Sequence, residues 1–379
     1  MKIMKWQAVA AVAVITVIFV ASGFAKEMPM DRAKPRIQVA VLLDTSNSMD
    51  GLIAQAKTQL WKIVNEFATA KKDGKAPDLQ VALYEYGKSS IPAGEGYIRM
   101  IVPFTTDLDK ISEGLFALTT NGGDEYCGKV IGTATQSLDW SPSNQDYKVI
   151  FIAGNEPFTQ GNVDYRTSCT EAIRKGIIIN TIFCGNFDEG VRTSWKDGAD
   201  LADGKYMNID HNAKIVQIDA PQDKKIARLG VELNKTYLAY GTKGEEGKER
   251  QETQDIKAGA IAAPVFAERA VAKASSNYRN ASWDMVDGLK QGNLKLENIK
   301  KDELPKEMRN MKPGELKAYV EKKAKEREKI QQQINRLNEE RKQYVAMKMK
   351  EAGGVDNTFD AAVIKAIREQ AAKKDFQLK

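Results

Sequence analysis

The sequence predicts an α/β fold, in which a doubly wound, mostly parallel six-stranded sheet is followed by an all-helical region. Strand-like and helix-like segments alternate over residues 36–210, which is typical of a parallel sheet with helices on both faces. The first strand, Ile37–Leu43, is almost continuously apolar, as expected for a strand that is buried on both faces. After about residue 220 the segments are charged and have helical spacing, so no further strand is predicted.

Each element of the sheet region follows from its own pattern. Short apolar runs predict the other five strands, at residues 79–87, 98–104, 147–153, 176–185 and 205–210. Apolar residues at helical spacing predict the helices, at residues 52–67, 107–118, 125–138, 170–175 and 191–201.

The second half is predicted to be helical. Gln251–Ser275 is an alanine-rich helix, and residues 359–376 form a final amphipathic helix. Gly241–Gly247 is a break between helices. It is not a phosphate-binding loop, because five residues separate its outer glycines and Glu249 follows Lys248, where four residues and a Ser or Thr are needed.

An apolar stripe along residues 314–350 leaves two structures open. A long coiled coil would need an uninterrupted apolar seam, whereas a helix that packs on its own domain needs only a narrow stripe. Three charged residues, Lys323, Arg327 and Arg341, share the stripe with its apolar positions, which are Leu316, Val320, Ile330, Ile334, Leu337 and Tyr344.

The N-terminus has the pattern of an export signal. Lys2 and Lys5 precede the apolar run Ala8–Val20, and small residues precede Lys26, as at a signal-peptide cleavage site. The run is shorter than the roughly 20 residues of a membrane span. We therefore predict a signal peptide at 1–25, a sheet domain at 36–220 and a helical region at 221–379. The predicted location is periplasmic or secreted, and the alternative is anchoring by an uncleaved N-terminal segment.

Composition excludes some classes of function. Residues 301–350 contain fifteen Lys and Arg against nine Asp and Glu, which accounts for the whole net charge of +6. The two signs are interleaved, which favours a solvated helix face over a nucleic-acid site. One histidine excludes a multi-histidine metal cluster, and no nucleophile elbow appears. We therefore predict that the protein is not an enzyme.

Three oxygen-bearing side chains follow the first strand at alternate positions. They are Asp44, Ser46 and Ser48, in the stretch VLLDTSNSMDG. In an open α/β sheet, ligands bind at the carboxyl ends of the strands. Ligation by oxygen alone suits a hard cation such as Mg²⁺, Mn²⁺ or Ca²⁺.

The stretch resembles the first motif of the metal-ion-dependent adhesion site of the von Willebrand factor type A (VWA) domain. The resemblance continues through NGGDEYCG, KVIFIAGNEP, GIIINTIFCG and SWKDGADLADGKYMNI, and covers about residues 36–212. It implies a Rossmann-like sheet with the order β3-β2-β1-β4-β5-β6 and a metal ion at its carboxyl edge. It also implies a binding module in which an acidic side chain of a protein partner completes the metal shell.

The sequence departs from the family in two loops. Asp124 stands where the family usually has a threonine ligand, and Gly154 stands where it has an aspartate. We therefore expect Asp44 and Asp124 to supply two carboxylates to the metal. Further oxygens are available from Thr120, Asn155 and Glu156. Two alternatives stay open: Asp44 and Ser46 only cap the following helix, or Asp124 fills the metal's place and bonds to a serine hydroxyl.

The topology that comes with the resemblance places all three cysteines near the carboxyl edge. Export implies an oxidising compartment, in which disulfides persist. The favoured pair is Cys169 with Cys184, and the alternative is Cys127 with either of them.

Two functional hypotheses follow. Segments of the second half, among them LNKTYLAYG and AIREQAAKKDF, resemble C-terminal regions of exported bacterial proteins that carry this domain. The first hypothesis is a cation-dependent protein-binding module of the bacterial cell envelope. The second is a metal-free scaffold whose helical half mediates envelope protein assembly.

Overall fold

Six strands form one sheet in the order β3-β2-β1-β4-β5-β6 in the computed structural model, which describes residues 34–209, 218–351 and 359–378. The strands are β1 (Arg36–Asp44), β2 (Asp78–Tyr86), β3 (Ile98–Thr105), β4 (Tyr147–Gly154), β5 (Ile177–Cys184) and β6 (Tyr206–Ile209). All neighbouring strands are parallel except β2 and β3. The predicted mostly parallel sheet and its strand order are confirmed.

Twelve α-helices are found in the described residues, besides five short 3₁₀ helices. They are α1 (Ile53–Ala68), α2 (Leu108–Ala117), α3 (Cys127–Ser137), α4 (Tyr165–Arg174), α5 (Phe187–Arg192), α6 (Trp195–Asp200), α7 (Asp223–Asn234), α8 (Gly244–Ile261), α9 (Ala263–Lys273), α10 (Met285–Lys290), α11 (Pro313–Glu351) and α12 (Phe359–Ala372). None of them has the length and apolar character that crossing a membrane requires. The predicted signal peptide, residues 1–25, lies outside the described residues.

Two predicted helices are wrong in their extent, because each is divided in two. The helix predicted at 191–201 is α5 and α6, separated at Ser194, which has a φ of 73° and so leaves the helical conformation. The helix predicted at Gln251–Ser275 is the end of α8 and α9. Pro264 stands in the first turn of α9, where its missing N–H is tolerated. In the interior of one continuous helix the same proline would remove a hydrogen bond and break the helix.

The sheet is covered on both faces, and β1 at its centre is buried along almost its whole length. One face carries the core formed with α3, α4 and α6. The opposite face carries a larger core, which α1 and α2 share with α7, α9, α11 and α12 of the second half. The described residues from Pro35 onwards therefore form one compact unit, in which the helical region packs against one face of the sheet.

Helix α12 is part of the sheet's core. Ile367 and Phe376 are buried there, and the side-chain amides of Gln370 and Asn180 of β5 bond to each other at 2.9 and 3.0 Å. At the chain's end, Gln377 and Lys71 exchange two backbone hydrogen bonds. Residues of α12 and the short segment after it thus belong to the same core as the first strands.

The stripe on α11 faces its own chain. Leu316, Val320 and Ile334 are buried. Arg327, which interrupts the stripe, is buried against Asp284 at 2.7 Å, and its guanidinium lies 4.0 Å from the ring centroid of Tyr237. The charged residue is therefore accommodated by an intramolecular ion pair, and the stripe does not form the seam of a free-standing coiled coil in the described structure.

A buried polar network joins α2 of the sheet region to α8 and α9. The Arg269 guanidinium bonds to Asp109 at 2.9 Å and to Asp255 at 2.5 Å. Lys273 pairs with Asp255, and the Tyr278 hydroxyl donates to Asp109 at 2.5 Å. These groups are almost fully buried, so the network fixes where the helical region sits.

Replacing Asp109 with asparagine should strongly destabilise the protein. It leaves Arg269 with Asp255 as its one remaining carboxylate, and an incompletely compensated buried charge costs about 3–5 kcal/mol. Glu113→Gln is the control, since Glu113 lies on the same helix and pairs with Arg250 but is half exposed; it should cost less than about 1 kcal/mol. Urea unfolding measures both, and similar small losses would show that the network contributes little.

Candidate functional site

Asp44 ends β1 at the carboxyl edge of the sheet, and its side chain is fully buried. Its Oδ1 accepts a hydrogen bond from the Ser46 backbone N–H at 2.8 Å. Its Oδ2 is buried without a hydrogen-bond partner among the described residues. Burial raises the pKa of Asp44 to about 7, and the nearby Glu125 carboxyl adds to the shift. One carboxyl oxygen therefore lacks the donor or the cation that would compensate its desolvation.

The two predicted serines meet beside Asp44. Their hydroxyl oxygens lie 2.8 Å apart, and Ser48 Oγ donates to Asn155 Oδ1 at 2.8 Å. Asn155 Nδ2 in turn donates to the Ser48 backbone carbonyl at 2.9 Å. The loop after β1 is thus bound to the loop after β4. Ser46 makes no side-chain capping bond to the following helix, so the helix-cap alternative is wrong for this residue.

The carboxyl group beside Asp44 belongs to Glu125 rather than Asp124. Asp44 Oδ1 and Glu125 Cγ lie 2.7 and 2.9 Å from the point that a Cβ on Gly87 would occupy. Glu125 is buried, and burial raises its pKa while an interaction with the Ser46 hydroxyl opposes that rise. Asp124 is exposed and accepts from the Tyr126 hydroxyl at 3.1 Å. Asp124 therefore does not fill the metal's place or bond to Ser46 or Ser48.

A side chain at position 154 would meet a steric obstacle. A Cβ on Gly154 would lie 2.5 Å from the Tyr86 hydroxyl oxygen and 3.0 Å from Asp44 Cβ. Tyr86 is fully buried, and its hydroxyl donates to the Ala153 carbonyl at 3.1 Å. The Tyr86 side chain therefore occupies the space that a longer residue at position 154 would need.

The remaining predicted oxygens lie at the margin of this site. The Thr120 hydroxyl donates to the Asp50 carboxylate. The Glu156 carboxylate acts on Glu125, whose pKa it raises further. The structure thus brings together Asp44, Ser46, Ser48 and Asn155, and adds Glu125 and Tyr86, which sequence reasoning missed.

The sequence profile of the von Willebrand factor type A domain matches residues 38–194. Residues 38–194 form a VWA domain. A search of curated proteins gave no match.

Several solved structures resemble the VWA domain. BatB, a conserved hypothetical protein from Bacteroides thetaiotaomicron, is 16% identical, with 46% of this chain and 90% of that chain covered and a TM-score of 0.36. The VWA domain of SpRpn10 is 15% identical, with coverages of 48% and 92% and a TM-score of 0.37. An aerotolerance-related membrane protein from Bacteroides fragilis is 15% identical, with coverages of 46% and 92% and a TM-score of 0.33.

The residues of the VWA domain fit a hard cation. Asp44, Ser46 and Ser48 converge at the carboxyl edge, and Asp44 Oδ2 is a buried oxygen without a partner among the described residues. Such an oxygen is the group that a bound cation would compensate. Glu125, rather than Asp124, is the second carboxyl group beside Asp44 and would be the one available to such a cation. Carboxylate and hydroxyl oxygens are the donors that Mg²⁺, Mn²⁺ and Ca²⁺ prefer.

The disulfide prediction is wrong. All three cysteines lie in the described part of the chain, and each is a buried free thiol. Cys169 packs in the core with α3 and α4, whereas Cys184 packs in the core of the opposite face. The sheet therefore separates the favoured pair. Cys127 shares the face of Cys169, but its thiol lies 3.7 Å from the Tyr86 hydroxyl.

Asp44→Asn should stabilise the metal-free protein increasingly as the pH rises. In the wild type, burial raises the pKa of Asp44 in the folded protein to about 7 from 3.8. Because Asp44 then ionises at a lower pH in the unfolded chain, the free energy of unfolding falls between about pH 4 and pH 7. The total loss is of the order of 4 kcal/mol. Asparagine does not ionise and can still accept from Ser46. Urea unfolding in EDTA at pH 5 and pH 8, with Asp124→Asn as control, measures the effect; an advantage independent of pH would contradict it.

Gly154→Ala should destabilise the protein because of the contact with Tyr86. Overpacking of this kind costs about 1–3 kcal/mol, and Tyr86→Phe in the same chain should recover part of the loss by removing the hydroxyl. Gly94→Ala is the control, since a Cβ there meets no atom within 4 Å. A double-mutant cycle by urea unfolding measures the coupling, and a coupling near zero would show that Tyr86 is not the obstacle.

Proposed function

We propose that this protein is a divalent-cation-dependent protein-binding module of the cell envelope. VWA domains are protein-interaction modules, often metal-dependent and typically non-catalytic. The observation that carries the proposal is the carboxyl group of Asp44 at the edge of the sheet. Its Oδ2 is buried without a partner among the described residues, and its Oδ1 lies on the side of the Ser46 and Glu125 side chains.

In this proposal, Asp44, Ser46, Ser48 and Glu125 hold Mg²⁺, or Mn²⁺ or Ca²⁺, with Asn155 orienting Ser48. The ion supplies an open coordination position that an acidic side chain of the partner completes. Two carboxylates bind a divalent cation much better than one. Glu125 is therefore important at this site, because Gly154 stands where the family usually has an aspartate.

The N-terminal sequence supports a place in the cell envelope, either periplasmic or secreted. The helical region adds a second surface for assembly. It packs on the α1 and α2 face, which leaves the loops at the carboxyl edge to the partner.

Calorimetric titration with Mg²⁺, Mn²⁺ and Ca²⁺ tests the proposal directly. We expect the wild type to bind the cation and Asp44→Asn not to bind it. Glu125→Gln should bind it at least roughly 10-fold more weakly than the wild type, since one carboxylate is lost. Asp124→Asn is the matched control, because its exposed carboxylate bonds to Tyr126. Absence of heat with every cation would refute the proposal. Equal losses in Glu125→Gln and Asp124→Asn would return Asp124 to the metal shell.

A metal-free scaffold is the second candidate. It is favoured by the hydrogen bonds that already join Ser46, Ser48 and Asn155. In addition, the described residues contain no cluster of three or more His, Cys, Asp or Glu side chains that could hold a metal ion. Under this function, capture of a partner would be unchanged in EDTA.

A further inference from the structure

The loops at the carboxyl edge of the sheet are strongly acidic. The five loops, residues 44–52, 87–97, 118–126, 155–164 and 185–194, contain two basic residues, Lys88 and Arg192. They contain nine acidic residues, which are Asp44, Asp50, Glu95, Asp124, Glu125, Glu156, Asp164, Asp188 and Glu189. Their formal charge is −7 on a chain of net charge +6, so these five loops are opposite in sign to the chain as a whole.

Aromatic rings lie among these acids. Tyr97 and Tyr126 form an edge-to-face pair with ring centroids 5.7 Å apart. The Tyr126 hydroxyl donates a hydrogen bond to the Asp124 carboxylate. Phe187, at the start of α5, is 49% exposed and precedes Asp188. Rings interleaved with carboxylates are suited to Lys and Arg side chains, which gain both ion pairing and cation–π contact.

The acidic edge surrounds a group that lacks a partner. Asp44 is fully buried, and its Oδ2 has none among the described residues. Of the two bases in these loops, Lys88 is committed to the neighbouring loop, because its ammonium donates to the Thr119 carbonyl and hydroxyl at 3.0 and 3.1 Å. These five loops therefore have few basic groups to offer an acidic partner besides the proposed ion.

We propose that the partner is a polypeptide segment in which Lys or Arg residues flank the acidic residue that completes the metal shell. This inference rests on the proposed function and adds the chemistry of the flanking residues. One divalent ion neutralises only two of the negative charges, so a uniformly acidic partner would be repelled by those that remain. A segment with basic flanks has one carboxylate for the ion and several cations for the acidic edge.

Three labelled peptides of equal length test the proposal by fluorescence anisotropy with the full chain in Mg²⁺. One has a central aspartate with four flanking lysines, the second has the same aspartate with four flanking glutamates, and the third has asparagine within the lysine flanks. We expect the first to bind at least about 10-fold more tightly than either of the others at low salt. The preference over the glutamate peptide should shrink in high salt, because exposed charges are screened.

Two triple variants locate the effect. Asp124→Asn, Asp188→Asn and Glu189→Gln together should abolish most of the preference for lysine flanks. The matched control, Asp73→Asn, Asp139→Asn and Asp203→Asn, removes three exposed charges from loops that precede strands and should preserve it. Equal effects of the two variants on peptide binding would overturn the inference. It would also be overturned if the protein were an oligomer in solution and the first variant were a monomer, since the acidic loops would then bind a second copy of the chain.

The two levels of the proposal fail separately. If calorimetry shows that Mg²⁺ binds but the lysine peptide has no advantage, the basic-flank inference is wrong and the metal-dependent function stands. If no cation binds, both are wrong.

Discussion

The carboxyl group of Asp44 is the constraint around which the carboxyl edge is arranged. It lies at the end of the central strand, where the sheet and three loops exclude water, and one of its oxygens has no donor among the described residues. Glu125 approaches it on one side, while the Tyr86 hydroxyl lies close to Gly154 on another. An isolated protein therefore holds a carboxyl group whose ionised form is disfavoured. A cation would reverse that preference, so stability and binding are opposed at one residue.

The sheet could be predicted from sequence because its strands are apolar over runs too short for helices. The convergence of Asp44, Ser46 and Ser48 could be predicted, because their spacing after a buried strand is a local pattern. The carboxyl group that lies beside Asp44 was expected to be that of Asp124 and is that of Glu125, because the two residues are adjacent and the backbone turn that buries one and exposes the other has no signature in residue type. The role of Tyr86 was missed for a similar reason, since its hydroxyl reaches the site from the adjacent strand β2.

Other errors have equally physical causes. The cysteine pairing failed because side chains alternate across a strand, so Cys184 points away from the face on which Cys169 packs. Charged residues interrupt the apolar stripe on α11, yet the stripe is still buried. Arg327 can be buried within it because it pairs with Asp284 and Asp287. A charge at an apolar position therefore did not exclude burial, because its partner came from a distant part of the chain.

The position of α12 has a consequence for how the chain acquires its structure. A helix that begins at residue 359 supplies core contacts to strands that begin at residue 36, and the chain's end pairs with Lys71. Until residues 359–378 have left the ribosome, the α1 face of the sheet lacks part of its cover. The core around the first strands therefore cannot be completed before these residues are synthesised, and a chain without them would expose an apolar surface in its amino-terminal half.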